Sequence, residues 1–116
     1  MCMDFAAKLV LFEGELGFFG PGVKDLFLCI DSERSVKAAC EKMGLSYSKA
    51  WKMIRNVEKA IGKPAVTRVQ GGHDGGSASL TEAGRDLLDR YMNLEKEGRE
   101  ALKPLYEKEF RTFLKP

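Results

Sequence analysis

Cationic, hydroxyl and amide side chains concentrate in one short segment of the chain, residues 46–59. Arginine and lysine pair with phosphates and with the edge of guanine, asparagine pairs with adenine, and serine reaches either kind of group. A helix carrying such side chains on one face fits the major groove of duplex DNA. The segment therefore indicates recognition of a polyanion, and its candidates for contact are Ser46, Tyr47, Ser48, Lys49, Lys52, Arg55 and Asn56.

The charge of the chain is segregated along its length. The net charge is only +2, yet residues 34–69 hold nine basic residues against two acidic ones, a net +7 that leaves −5 for the rest. Such a cationic block is typical of proteins that bind nucleic acid, because neutralised phosphates release their condensed counterions. By charge alone, a merely solvated basic face stays open as the alternative.

Local patterns predict the two helices that must position these side chains. Apolar residues at helical spacing occupy 36–43, where Ser35 can cap the helix and Gly44 can end it. Ser46 can cap a following helix that runs to about Ile61. Two helices joined by so short a glycine-containing turn form a helix-turn-helix over residues 35–61, and its second helix would contact DNA. Ser35 joins the candidates for contact, whereas Trp51 is assigned a mainly packing role.

A glycine-rich stretch, "QGGHDGG" at 70–76, follows the second helix. It lies between strand-like runs at 65–69 and 77–80, which predicts a β-hairpin, or wing, over 65–80. Glycines at its tip would let backbone amides approach a phosphate or enter a minor groove, although a plain surface turn is the alternative. The wing candidates for DNA contact are Arg68, Gly71, Gly72, Gly75 and Gly76.

Catalytic and metal chemistry find little support in the sequence. Cys2, Cys29 and Cys40 are widely spaced and odd in number, which argues against disulfides and a zinc site and favours small buried side chains. His73 has no ligand-type neighbour at suitable spacing. We therefore expect no enzyme activity, no metal and no cofactor. The chain has no long apolar run and no signal peptide, so we expect no membrane contact and a cytoplasmic protein.

The ends of the chain complete the predicted fold. Residues 7–12 and the short run 16–19 predict a hairpin turning at Gly14, and residues 23–31 predict a first helix. A last helix begins near Thr81, and Pro104 is expected to interrupt it. Its apolar stripe could pair with a second copy or pack on the N-terminal hairpin and first helix; the predicted dimer contacts are Leu87, Tyr91, Leu94, Gly98, Ala101 and Leu105.

The order of "GLSYSKAWKMI", the glycine-rich wing and the closing "LTEAGRDLL" resembles the N-terminal DNA-binding domain of ModE-type, molybdate-responsive transcriptional regulators, which are similar to LysR-type winged helices. The resemblance extends from the first strand to about residue 95. It implies a homodimer that binds a palindromic operator, with Ser46, Tyr47, Lys49, Lys52 and Arg55 in the recognition region and Gly71, Gly72, Gly75 and Gly76 in the wing. His73 and Asp74 depart from the family pattern "TGGKGGGGA", removing a basic contact and adding an acid.

These observations predict a mainly α fold with small β hairpins (α+β). A winged helix-turn-helix would occupy residues 1–80, and a dimerisation helix with its tail, 81–116, would belong to the same single domain. No segment resembles a molybdate-binding module. The expected function is a dimeric regulator that binds double-stranded DNA. The alternative is an adaptor whose aromatic tail after Pro104 docks a separate sensor or regulator protein.

Overall fold

A computed structural model describes residues 3–69 and 76–114. Its elements follow the chain as two hairpins and four helices within those residues, giving a mainly α winged helix-turn-helix. The elements are β1 (Leu11–Glu13), β2 (Leu16–Phe19), α1 (Pro21–Glu33), α2 (Val36–Met43), α3 (Tyr47–Ile61), β3 (Val66–Val69), β4 (Ser77–Leu80) and α4 (Glu82–Leu114).

The predicted caps fix both ends of the helix-turn-helix. Ser35 Oγ accepts a hydrogen bond of 3.0 Å from the backbone amide of Ala38, and Ser46 Oγ accepts one of 3.2 Å from Lys49. Gly44 ends α2 with a left-handed φ of 66°, a conformation that costs glycine no side-chain clash. The predicted helix at 36–43 is therefore confirmed, and α3 ends at Ile61 as expected.

The N-terminal elements differ modestly from the prediction. β1 begins at Leu11 rather than at residue 7, because β2 offers only four residues to pair with before α1 starts. α1 spans Pro21–Glu33 rather than 23–31, since Pro21 suits the first position of a helix. Both shifts arise at element ends, where one neighbouring residue decides whether a strand or helix continues.

One hydrophobic core joins the helices to both hairpins. Phe19 from β2, Phe27 from α1, Ile54 from α3 and Leu88 from α4 are all buried in it. Phe19 packs edge-on against Phe27, with ring centroids 5.3 Å apart. The helices of the helix-turn-helix are thus anchored from behind, which leaves their outer faces to solvent.

Backbone amides at the base of the wing donate hydrogen bonds to α3 and to the end of α1. β3 and β4 pair antiparallel, from Val66 opposite Leu80 to Val69 opposite Ser77. The amide of Ala78 donates to the Arg34 carbonyl at the end of α1 (2.9 Å). Glu58 of α3 accepts a 2.8 Å hydrogen bond from the amide of Ala65. The predicted wing tip, with Gly71, Gly72, His73 and Gly75, lies outside the described residues.

The predicted interruption at Pro104 is wrong. α4 continues through this residue from Glu82 to Leu114. Proline removes one amide donor, but Pro104 is exposed, so water can hydrate the carbonyl left without its helical partner. The chain therefore has one long last helix where the sequence predicted a long and a short one.

An extended N-terminal segment, residues 4–9, lies along α4. Arg99 donates to the Asp4 carboxylate at 2.8 Å and to the Phe5 carbonyl at 2.6 Å. Phe5 stacks on Tyr106 with ring centroids 5.0 Å apart. These contacts hold the segment against the half of α4 that extends beyond the core.

Candidate nucleic-acid interface

The two faces of α3 have opposite chemistry. Ala50, Ile54 and Val57 are fully buried on the inner face. The outer face exposes cationic and hydroxyl groups over four turns, and Asn56 is half-buried at its border. The exposed predicted residues are Ser46, Tyr47, Ser48, Lys49, Lys52 and Arg55.

The cations of α3 have no acidic partner among the described residues. Lys49, Lys52 and Arg55 form no ion pair with any residue in the described part of the chain, although ion pairs form on α1, α2 and α4. Free cations on an exposed helix face are available to an external anion. This geometry favours a polyanionic partner over a purely solvated face.

The hydroxyl groups of Ser35 and Ser46 serve the helix ends first. Each oxygen accepts a backbone amide as an N-cap. Each O–H remains free to donate, because a hydroxyl has one donor in addition to its acceptor lone pairs. A capping serine can therefore still contact a phosphate, and both residues remain predicted contacts.

α3 and the wing strand β3 meet at a cluster of three side chains, Tyr47, Trp51 and Arg68. Arg68 Nη1 donates a 2.9 Å hydrogen bond to the Tyr47 hydroxyl. The Arg68 guanidinium carbon lies 4.8 Å from the centroid of the Trp51 ring, within cation–π range. The Tyr47 and Trp51 rings are 6.3 Å apart and inclined at 71°. Arg68 thereby links the wing strand β3 to α3, in addition to the 3.4 Å hydrogen bond that the Glu58 carboxylate accepts from the Val66 amide.

Local sequence patterns do not reveal this cluster. They indicate Tyr47 and Arg68 as separate contacts and Trp51 as a packing residue. Trp51 does pack against the core, so that assignment is confirmed as far as it goes. The spacing of Tyr47 and Trp51, one helical turn apart, was the available signal. Nothing local to β3 predicts that Arg68 reaches them.

The predicted dimer contacts separate into two groups. Tyr91 is buried within its own protomer, packed against Phe19 at 4.8 Å and donating a 2.7 Å hydrogen bond to the Leu9 carbonyl. Tyr91 is therefore removed from the predicted dimer contacts, because a buried side chain cannot contact a partner. Leu87 is half-buried against the same core. Of the remainder, Gly98 is half-exposed and Leu94, Ala101 and Leu105 are exposed.

Cys40 is buried in the core and Cys29 is half-buried, whereas Cys2 lies outside the described residues. Burial raises the pKa of the Cys40 thiol, an effect that Glu41 reinforces, so the thiol stays protonated and unreactive. Cys40 is thus the small buried side chain that the sequence predicted. In the described ranges, no group of three or more His, Cys, Asp or Glu residues is arranged to hold a metal ion. Nor is any helix there long and apolar enough to cross a membrane.

Comparison with known proteins gives consistent matches to this architecture. A family described as "Bacterial regulatory helix-turn-helix protein, lysR family" matches residues 25–85. The molybdenum transport protein ModE of Azotobacter vinelandii is 37% identical over 83 residues, covering 72% of this chain and 31% of that protein. The molybdenum-pterin-binding protein MopB of Rhodobacter capsulatus is 37% identical over 70 residues, 60% of this chain and 26% of that protein.

A solved structure shares the fold. The crystal structure of ArgP from Mycobacterium tuberculosis superposes with a TM-score of 0.53 at 24% identity, over 77% of this chain and 31% of that one. The chain therefore spans less than a third of the length of each of these relatives. The family match at residues 25–85 covers most of α1, the helix-turn-helix, both wing strands and the start of α4.

Proposed function

The chain belongs to the LysR family of bacterial regulatory helix-turn-helix proteins, and we propose that it binds duplex DNA as a homodimer with α3 in the major groove. Its fold carries the helix-turn-helix DNA-binding domain of LysR- and ModE-type transcription regulators. The proposed activity is sequence-specific binding rather than catalysis. The proposed location is the cytoplasm, where the bacterial DNA lies.

The exposed cationic face of α3, which forms no ion pair with any described residue, carries this proposal. Its basic residues stand on a helix whose opposite side is anchored in the core, so they can enter a groove without loss of packing. The proposed contacts from α3 and its neighbours are Ser35, Ser46, Tyr47, Ser48, Lys49, Lys52, Arg55 and Asn56. From the wing we propose Arg68, Gly71, Gly72, Gly75 and Gly76.

Selection of bound fragments from sheared bacterial genomic DNA tests sequence-specific binding directly. We expect recovered fragments to share a pseudo-palindromic sequence with half-sites about 10 base pairs apart centre to centre, or a multiple of that spacing, because two recognition helices must enter the same side of the duplex. Binding should weaken steeply with salt. Random recovery, or a motif without two-fold symmetry, would contradict the proposed mode of binding.

The proposed dimer surface lies on the half of α4 beyond the core. Gly84, Leu88 and Tyr91 belong to the core, so the part of residues 81–116 available for dimerisation begins at Leu94. Leu94 and Leu105 are 49% and 54% exposed, so both have apolar area that a partner helix could bury. Gly98 and Ala101 lie between them at 3-4 spacing and allow a partner helix to approach closely.

Leu94→Glu combined with Leu105→Glu should convert the dimer into a monomer. The substitutions place two charges in the proposed apolar seam while keeping helix-forming side chains. Sedimentation equilibrium would measure the change in mass, and Lys96→Glu with Lys103→Glu, at exposed positions of the same helix, is the matched control. A wild-type chain that sediments as a monomer at micromolar concentration would remove the homodimer from the proposal.

The exposed aromatic side chains at the end of α4 support the adaptor hypothesis. Phe110 and Phe113 are exposed, and Phe113 is 77% accessible. An aromatic end of this kind favours a protein partner, either a second copy or a separate sensor. The molybdenum chemistry in the relatives' names is not part of the proposal, because the matched residues cover only 31% of ModE and 26% of MopB.

A further inference from the structure

Trp51 lies where α3 meets the base of the wing, and it contacts three different surroundings. Its indole is half-buried and packs against the hydrophobic core. Arg68 of β3 stacks on the ring, and Tyr47 lies one helical turn away on the same helix. This side chain therefore connects the core, the recognition helix and the wing.

Core packing does not account for a tryptophan at this position. Trp51 Nε1 is buried, and no described residue accepts a hydrogen bond from it. A buried donor without an acceptor destabilises the folded state. Phenylalanine would supply an aromatic ring without that donor. A tryptophan here thus calls for a role other than stability.

The contact with Arg68 gives Trp51 such a role. Tryptophan is the aromatic residue that attracts a cation most strongly. The guanidinium on its ring also donates to the Tyr47 hydroxyl, which restricts a long exposed side chain to one place. Arg68 makes no ion pair with any residue described in the structure. A guanidinium carries five N–H donors, and apart from the bond to Tyr47 those of Arg68 form no hydrogen bond to a described residue.

The Tyr47 hydroxyl is prepared for an anion by the same contact. Its oxygen accepts from Arg68, so its own O–H donates elsewhere, and accepting a charged donor strengthens that O–H as a donor. At the junction of α3 and the wing, Arg68 therefore offers N–H donors and Tyr47 offers an O–H donor next to each other. A backbone phosphate, with several acceptor oxygens, matches this pair.

We propose that Trp51 is a positioning residue for DNA binding, holding Arg68 beside Tyr47 so that guanidinium and phenol bind one backbone phosphate of the duplex. The inference rests on the proposed DNA-binding function and deepens it. Trp51 acts only through Arg68 and touches no DNA itself. The base of the wing and the recognition helix are thereby fixed to the same point on the DNA backbone.

Trp51→Phe tests this role separately from stability. The variant keeps a ring in the core, removes the unpartnered donor and weakens the cation–π contact. We expect resistance to urea equal to or above wild type and a duplex affinity about two- to fivefold lower. Trp51→Tyr gives a second variant with the same expectation for affinity. Unchanged affinity in the folded variants would overturn the role of Trp51.

A double-mutant cycle supplies the decisive comparison. Arg68→Ala should lower the log–log salt slope of duplex binding by about 0.9, as expected for one lost phosphate contact. Trp51→Phe should then cause no further loss of affinity in the Arg68→Ala background, because the ring acts through that arginine. Tyr47→Phe, which removes only the hydroxyl, should likewise weaken binding less in that background. Equal losses in both backgrounds would overturn the proposal.

A separate control distinguishes this inference from the proposed function. If Lys52→Ala with Arg55→Ala abolishes binding while Trp51→Phe binds as wild type, only the positioning role of Trp51 is lost. If the wild-type chain shows no salt-dependent duplex binding, the DNA-binding function itself is wrong.

Discussion

Gly84→Ala should lower the free energy of unfolding by about 3 kcal/mol, a large part of the stability of a small domain. A Cβ on Gly84 would lie only 2.2 Å from the Ala65 carbonyl oxygen. That oxygen cannot move aside, because it accepts a 2.9 Å hydrogen bond from the amide of Thr81. The start of α4 is fixed as well, since Thr81 Oγ1 accepts from the Gly84 amide and donates to the Pro64 carbonyl. Urea unfolding followed by circular dichroism measures the loss.

Gly22→Ala is the matched control for that substitution. Gly22 lies in the first turn of α1, as Gly84 does in α4, but apart from its chain neighbours and the backbone of its own helix, no described atom lies within 4 Å of its added Cβ. Alanine there should leave stability unchanged or raise it by up to about 1 kcal/mol, because it restricts the unfolded chain. Equal stability of the two variants would mean that α4 and the segment before β3 do not approach each other this closely.

Lys52→Ala combined with Arg55→Ala should weaken duplex binding on the order of 100-fold at physiological salt. Each side chain would lose a contact worth about 1–3 kcal/mol. If both contact phosphates, the log–log salt slope should fall by about 1.8, or 0.9 for each contact. Both residues are exposed, so the fold should be unaffected. Fluorescence anisotropy with a selected duplex at several salt concentrations gives the affinity and the slope.

Lys96→Ala combined with Lys103→Ala removes the same charge from exposed positions of α4. This control should bind DNA nearly as wild type, because the charges lie on a different helix from the recognition surface. A general electrostatic effect would lower binding equally in both variants. An unchanged slope in the Lys52 and Arg55 variant would contradict groove binding by α3 and favour the adaptor hypothesis.

Much of the candidate interface was predictable because its determinants are local. The bounds of α2 follow from Ser35, from Gly44 and from the apolar spacing between them. The two faces of α3 follow from helical periodicity alone. The hairpin at β3 and β4 follows from alternating residues on both sides of a glycine-rich stretch. The start of α4 near Thr81 is likewise confirmed, and the Thr81 hydroxyl caps it by accepting from the Gly84 amide.

The last helix shows where local patterns fail. Tyr91 and Leu94 follow the same 3-4 spacing, which a core stripe and a dimer seam share. Only the position of the N-terminal segment and hairpin, which bring Leu9 and Phe19 against Tyr91, decides that Tyr91 belongs to the core. Pro104 likewise breaks helices as a rule, but its exposure allows α4 to continue.

The sequence by itself determined the helix-turn-helix, the cationic face of α3 and the wing strands, because caps, periodicity and charge act between residues a few positions apart. The tertiary structure alone decided that Arg68 stacks on Trp51, that Gly84 touches Ala65 and that Tyr91 is internal. Each of these contacts joins elements whose relative placement depends on how the whole core packs. No local pattern encodes that placement, since the same residues at the same spacing fit more than one arrangement.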